Sequence, residues 1–175
     1  GSCFPKDIRA LAHTGREAGM QLGVVEAVER ANEVQKRVLG ERVLATLGGD
    51  LHGKRVGIWG LAFKPETDDI RESPALTRID QLKSAGSELL GYDPQAMTNI
   101  RAHCGDRIEL VSEPYSAAAG ADALVLVTEW HGLRHPDLGR LAKTMRGRVL
   151  VDGRNVWSAS EARKAGFFYQ GIGRR

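Results

Sequence analysis

Between residues 55 and 170 short apolar runs alternate with helical patterns, and that rhythm restricts the fold more than any other feature of the chain. The runs 55–59, 88–92, 108–111, 123–127, 148–151 and 167–170 read as strands. Helical patterns fall between them at 75–85, 94–103, 115–119, 137–145 and 160–165. Strand-helix alternation at this spacing predicts an α/β fold: a parallel sheet with helices on both faces. Such sheets bind ligands outside the carboxyl ends of their strands. Lys64, Asp93, Thr128, Glu129 and Arg154 all fall at such ends.

The first fifty-odd residues read differently. Pro5 suits a first helical turn, where its missing N–H costs nothing, and Asp7 is placed to complement the helix dipole. Gly15 and Gly19 predict a break. A long connecting helix follows over 22–47, with Val24, Val28, Ala31, Val34 and Val38 on one face. Gly40 is its weak point, and Gly48-Gly49-Asp50 ends it. A helix of that length is expected to pack its apolar face on another domain or subunit. The division is therefore 1–53 for the helical segment and 54–175 for the sheet domain.

At 175 residues there is enough chain for one core plus an appendage. A net charge of +3 suits an anionic small molecule and argues against nucleic acid, which calls for a clustered basic patch. No apolar run approaches the ~20 residues that span a membrane, and no signal peptide is visible. Two cysteines make no disulfide framework, so a reducing, cytoplasmic setting is expected.

Two motifs carry the chemistry. Gly1-Ser2-Cys3-Phe4-Pro5-Lys6-Asp7 puts a thiol just before a helix start, where the positive helix end and Lys6 favour thiolate. Asp7 is placed to position a water or a catalytic ammonium group. The second motif is Gly60-Leu61-Ala62-Phe63-Lys64-Pro65-Glu66-Thr67-Asp68-Asp69-Ile70-Arg71-Glu72-Ser73-Pro74. A dinucleotide turn would read Gly-x-Gly-x-x-Gly, and Gly57-Ile58-Trp59-Gly60-Leu61-Ala62 does not, so this domain is not expected to hold NAD through its own first turn. Lys64 offers a point charge and Arg71 a bidentate fork. Asp68, Asp69 and Glu72 read as ion pairs internal to a solvated loop. In Val151-Asp152-Gly153-Arg154-Asn155 the glycine permits a tight turn and the arginine projects into the crevice. Asp93 reads as a turn or cap residue and Cys104 as structural. His131 and His135 lack a third ligand, so no metal is expected.

Together the motifs resemble the UDP-glucose 6-dehydrogenase family of nucleotide-sugar dehydrogenases, over essentially all 175 residues. The resemblance implies a Rossmann-like domain that binds UDP-glucose. It also implies Cys3 as nucleophile, Asp7 as the aspartate that helps activate water, and Phe63, Lys64 and Arg154 as substrate-binding residues. Lys6 and Arg71 would face NAD. The whole enzyme would oxidise a sugar alcohol to an acid through a cysteine thioester, passing hydride to NAD twice. This chain would be its carboxyl-terminal portion, without the amino-terminal NAD-binding domain, inactive alone and forming a homodimer. GDP-mannose or another nucleotide sugar is the alternative substrate, and a non-catalytic nucleotide-sugar-binding or dimerisation module is the alternative class.

Overall fold

The computed structural model describes residues 3–174, Cys3 through its backbone only. Helix α1 (Cys3–Glu17) and the long α2 (Gly23–Leu47) precede the sheet. Then follow β1 (Arg55–Trp59), α3 (Pro74–Ser84), β2 (Glu88–Tyr92), α4 (Met97–Cys104), β3 (Glu109–Leu110) and α5 (Pro114–Ala117). The remainder is β4 (Ala123–Leu126), α6 (Leu138–Thr144), β5 (Val149–Asp152), α7 (Ala159–Lys164) and β6 (Phe168–Gly171).

The six strands form one parallel sheet in the order β3-β2-β1-β4-β5-β6. The chain runs outward from β1 to β3, then returns to lay β4 on the other side of β1. Such a reversal, here between β1 and β4, marks the usual region for a ligand at the carboxyl ends of the strands. All four residues of β4 are buried, as are Val56, Ile58 and Trp59 of β1. Central parallel strands covered on both faces need such continuous apolar runs.

Strands β1 and β2 occupy the predicted residues, β4 ends one residue early, and β5 and β6 shift by one residue. β3 shrinks to two residues because it is an edge strand, paired only with β2. The helix expected from residue 94 starts at Met97, because Asp93 Oδ1 accepts from the N–H groups of Gln95 (2.9 Å) and Ala96 (2.8 Å) and holds them in a turn. α2 continues through Gly40, which is buried rather than weak. Its predicted apolar face is exposed within this chain, with Val24 at 80% and Val34 at 66% exposure. The core-facing residues are instead Leu39, Gly40 and Val43, which seat the second half of α2 on α3 and near β5. No helix among the described residues is long and apolar enough to cross a membrane.

Candidate functional site

The loop after β1 begins with Gly60 at φ 80°, where a Cβ would collide with the backbone of Thr128, so only glycine fits. The next two N–H groups, of Leu61 and Ala62, are the ones a phosphate would claim in a dinucleotide-binding turn. Here both donate to Asp93 Oδ2, at 2.6 and 2.9 Å, and Trp130 Nε1 donates to the same oxygen at 2.9 Å. Asp93 is fully buried. The chain's own carboxylate thus occupies these two N–H groups of the loop. Ser73 Oγ, donating to Leu61 O, and Thr128 Oγ1, donating to Ala62 O, close the loop from either side.

Further along, Phe63 is half-buried and its N–H donates to Asp69 O at 2.8 Å, while Lys64 is exposed beside it. Arg71 is exposed at the loop's far side, where its guanidinium meets the Asp69 carboxylate through Nε (3.0 Å) and Nη2 (2.9 Å). The bonds from Arg71 hold the Asp69 carboxyl below its ordinary range. This pair is internal to the loop, as the sequence suggests.

Glu72 is not. It sits at φ 61°, a strained conformation for glutamate, and its partners lie on both amino-terminal helices. Arg9 of α1 donates to it at 2.6 and 3.0 Å, and Lys36 of α2 at 2.7 Å. The Arg9 bond first, then that of Lys36, lowers the Glu72 carboxyl from 4.5 to about 2. Glu72 thereby clasps the Cys3-bearing helix to the sheet domain. Because its folded value lies below its unfolded one, the stabilisation is complete above about pH 4.5 and disappears as pH falls toward 2. Discounted for partial exposure, about 1–2 kcal/mol is at stake. Urea titrations from pH 6 to pH 3 should show the wild-type chain losing that much more stability than Glu72→Gln; parallel curves would remove the clasp.

At the end of β5, Asp152 is buried and its Oδ1 accepts from Arg154 N at 2.8 Å, its Oδ2 from Trp157 N at 2.8 Å. The left-handed residue of this turn is Asn155 (φ 57°), not Gly153. Glycine is required at 153 for a different reason: a Cβ there would lie 2.7 Å from Leu126 O and 2.9 Å from a Leu39 methyl. The Arg154 side chain donates through Nε to Val127 O at 2.7 Å and ion-pairs with Glu129 Oε2 at 2.9 Å, off the line of a hydrogen bond. It lines a crevice of about 200 Å³ with Lys36, Arg78, Val127 and Gly153, beneath α2 and beside the ends of β4 and β5.

Of the residues singled out from sequence, Arg154 is in this crevice, Phe63 and Lys64 are on the loop after β1, and Arg71 lines a separate hollow with Asp68, Asn99 and His103. The helix begins at Cys3 rather than after it, which moves Asp7 out of the first turn. Lys6 and Asp7 are exposed on α1, and the side chain of Cys3 lies outside the described residues. Cys104 is buried, and burial pushes its thiol up, as befits a structural role.

The sequence model of the UDP-glucose/GDP-mannose dehydrogenase family, UDP binding domain, matches residues 57–159. The chain belongs to this family. A UDP-glucose 6-dehydrogenase of Rhizobium meliloti is 44% identical over 174 residues, 99% of this chain and 40% of that protein. The structure of a UDP-glucose dehydrogenase from Pyrobaculum islandicum superposes with a TM-score of 0.83 at 36% identity, covering 98% of this chain and 37% of that one. A GDP-mannose dehydrogenase structure from Pseudomonas aeruginosa gives 0.71 at 27% identity, over 98% and 39%. The chain thus spans about 40% of the length of the curated relatives it matches.

The partners of Glu129 and Glu72, and Arg78 altogether, escaped the sequence reading. Glu129 is the partner of Arg154, and Glu72 clasps two helices. Arg78 had a legible signal: it shares the helical face of Ala75, Ile79 and Leu82, all buried.

Proposed function

We propose that this chain is the UDP-binding portion of a UDP-glucose 6-dehydrogenase, with residues 1–53 carrying the catalytic cysteine and dimer helices and 54–175 holding the nucleotide sugar. The observation that carries the reading is the pairing of a filled first turn with a cationic crevice at the strand ends: Asp93 takes the N–H groups that open the first turn, and Arg154 and Lys36 line the crevice beside the ends of β4 and β5. The domain is shaped for a nucleotide sugar rather than for NAD.

Phe63 packs against the substrate, Lys64 supplies charge, and Arg154, set by Asp152 and Glu129, binds the UDP moiety. Both oxidations, alcohol to aldehyde and thiohemiacetal to thioester, would pass hydride to NAD held by another part of the whole enzyme. Lys6 and Arg71 face it, Arg71 steadied by Asp69. The Cys3 thiolate adds to the C6 aldehyde carbon of the sugar, forming a C–S bond and an alkoxide that takes up a proton. Loss of hydride from C6 of that adduct to a second NAD, with loss of the proton on its oxygen, would yield a thioester. A water positioned by Asp7 then adds to the acyl carbon, breaks the C–S bond, and releases carboxylate and thiol. This stretch alone would not turn over. The exposed faces of α1 and α2, with Phe4, Val24 and Val34, support a homodimer, and a reducing cytoplasm keeps the thiol competent.

Calorimetry on the full-length enzyme tests the reading. UDP should bind, GDP more weakly, and Arg154→Ala or Lys64→Ala should weaken UDP by about 10- to 100-fold, as loss of a charge-assisted contact does. No UDP binding, or variants that bind like wild type, would sink it.

A further inference from the structure

We propose that Arg78 is an anion-binding residue, taking the diphosphate of the nucleotide sugar in the crevice beneath α2. This rests on the reading that the domain holds a nucleotide sugar, and it adds a residue to Phe63, Lys64 and Arg154. Arg78 lies one turn into α3, on the face otherwise made of Ala75, Ile79 and Leu82, and is only 5% exposed. Its Nη1 donates to Lys36 O and, at 3.0 Å, to Pro74 O. Its Nε is buried and has no partner.

The other two cations of the crevice are compensated. Lys36 meets Glu33 and Glu72, and Arg154 meets Glu129. Arg78 has only carbonyl partners and meets no carboxylate among the described residues. A buried guanidinium without counter-charge is expensive, and a leucine would fill a helix face of this kind at lower cost. Burial, and then the nearby Arg154, pull its pKa down to about 10, so the site is short of negative charge. The bond to Lys36 O ties α3 to α2 and the bond to Pro74 O stays within α3, but neither explains the charge or Nε. A phosphate would supply both the missing charge and acceptor oxygens in guanidinium geometry. Size agrees. At about 200 Å³ the crevice is below the ~300–1,000 Å³ usual for whole small molecules, and suits a diphosphate with the rest of the ligand extending outward.

The test titrates full-length enzyme with pyrophosphate, UDP and uridine, for wild type, Arg78→Met and Arg78→Lys. Pyrophosphate should bind wild type. Met should weaken pyrophosphate and UDP at least about tenfold and leave uridine unchanged, with Lys, which keeps charge but loses the fork, in between. If Met fails to fold, the Lys variant decides alone: its pyrophosphate affinity must fall. UDP binding with pyrophosphate affinity indifferent to both substitutions overturns the role of Arg78 and leaves the nucleotide-sugar reading intact. Pyrophosphate binding through Arg78 without any UDP binding does the reverse.

Discussion

Cys3→Ser in the full-length enzyme is expected to lower turnover by about a thousandfold or more while leaving UDP affinity unchanged. A hydroxyl at the start of α1 stays protonated at neutral pH, so it neither captures the aldehyde quickly nor leaves readily when water attacks the acyl carbon. On the proposed route a thiolate does both. Steady-state NADH formation from UDP-glucose, read beside UDP calorimetry, separates the chemical loss from a binding loss. Acid production at normal speed by the serine variant would overturn the thioester route. Cys104→Ser is the control, since that thiol is buried and burial pushes it toward the inert protonated form.

The largest effect on stability is expected at Asp93. Its carboxylate accepts from four backbone N–H groups, of Leu61, Ala62, Gln95 and Ala96, and from the Trp130 indole. Asp93→Ala strips all of these of their acceptor at once. A buried unsatisfied donor costs about 1–3 kcal/mol, so with partial rescue by water the loss should be about 4 kcal/mol or more. That is a large share of the 5–15 kcal/mol typical of a domain. Asp93→Asn tests the same point without a cavity, because its NH₂ would face N–H groups in place of one acceptor oxygen. Urea denaturation measures both; a shift below about 1 kcal/mol for alanine would mean that the turn is held by something else.

Much of this arrangement was legible beforehand. Continuous apolar runs such as 123–126 become central strands because a parallel strand covered on both faces needs no alternation. The absence of the second and third glycines after β1 already argued against a dinucleotide turn. Helical periodicity marked Val24 and Val34 as an apolar face without saying what covers it, and within this chain α2 is seated through Leu39, Gly40 and Val43.

Element order, sheet class and the chemistry-bearing motifs came from local pattern, since apolar period and turn residues act over a few positions. Partnership did not. Leu61 meets Asp93 across 32 positions and Arg9 meets Glu72 across 63, and no local signal encodes which charge finds which donor. Only tertiary packing brought Asp93 to the N–H groups of Leu61 and Ala62, turned Glu72 into a clasp between helices, and left Arg78 buried without a counter-charge among the described residues, because desolvation and hydrogen-bond geometry arise only when distant segments share one interior.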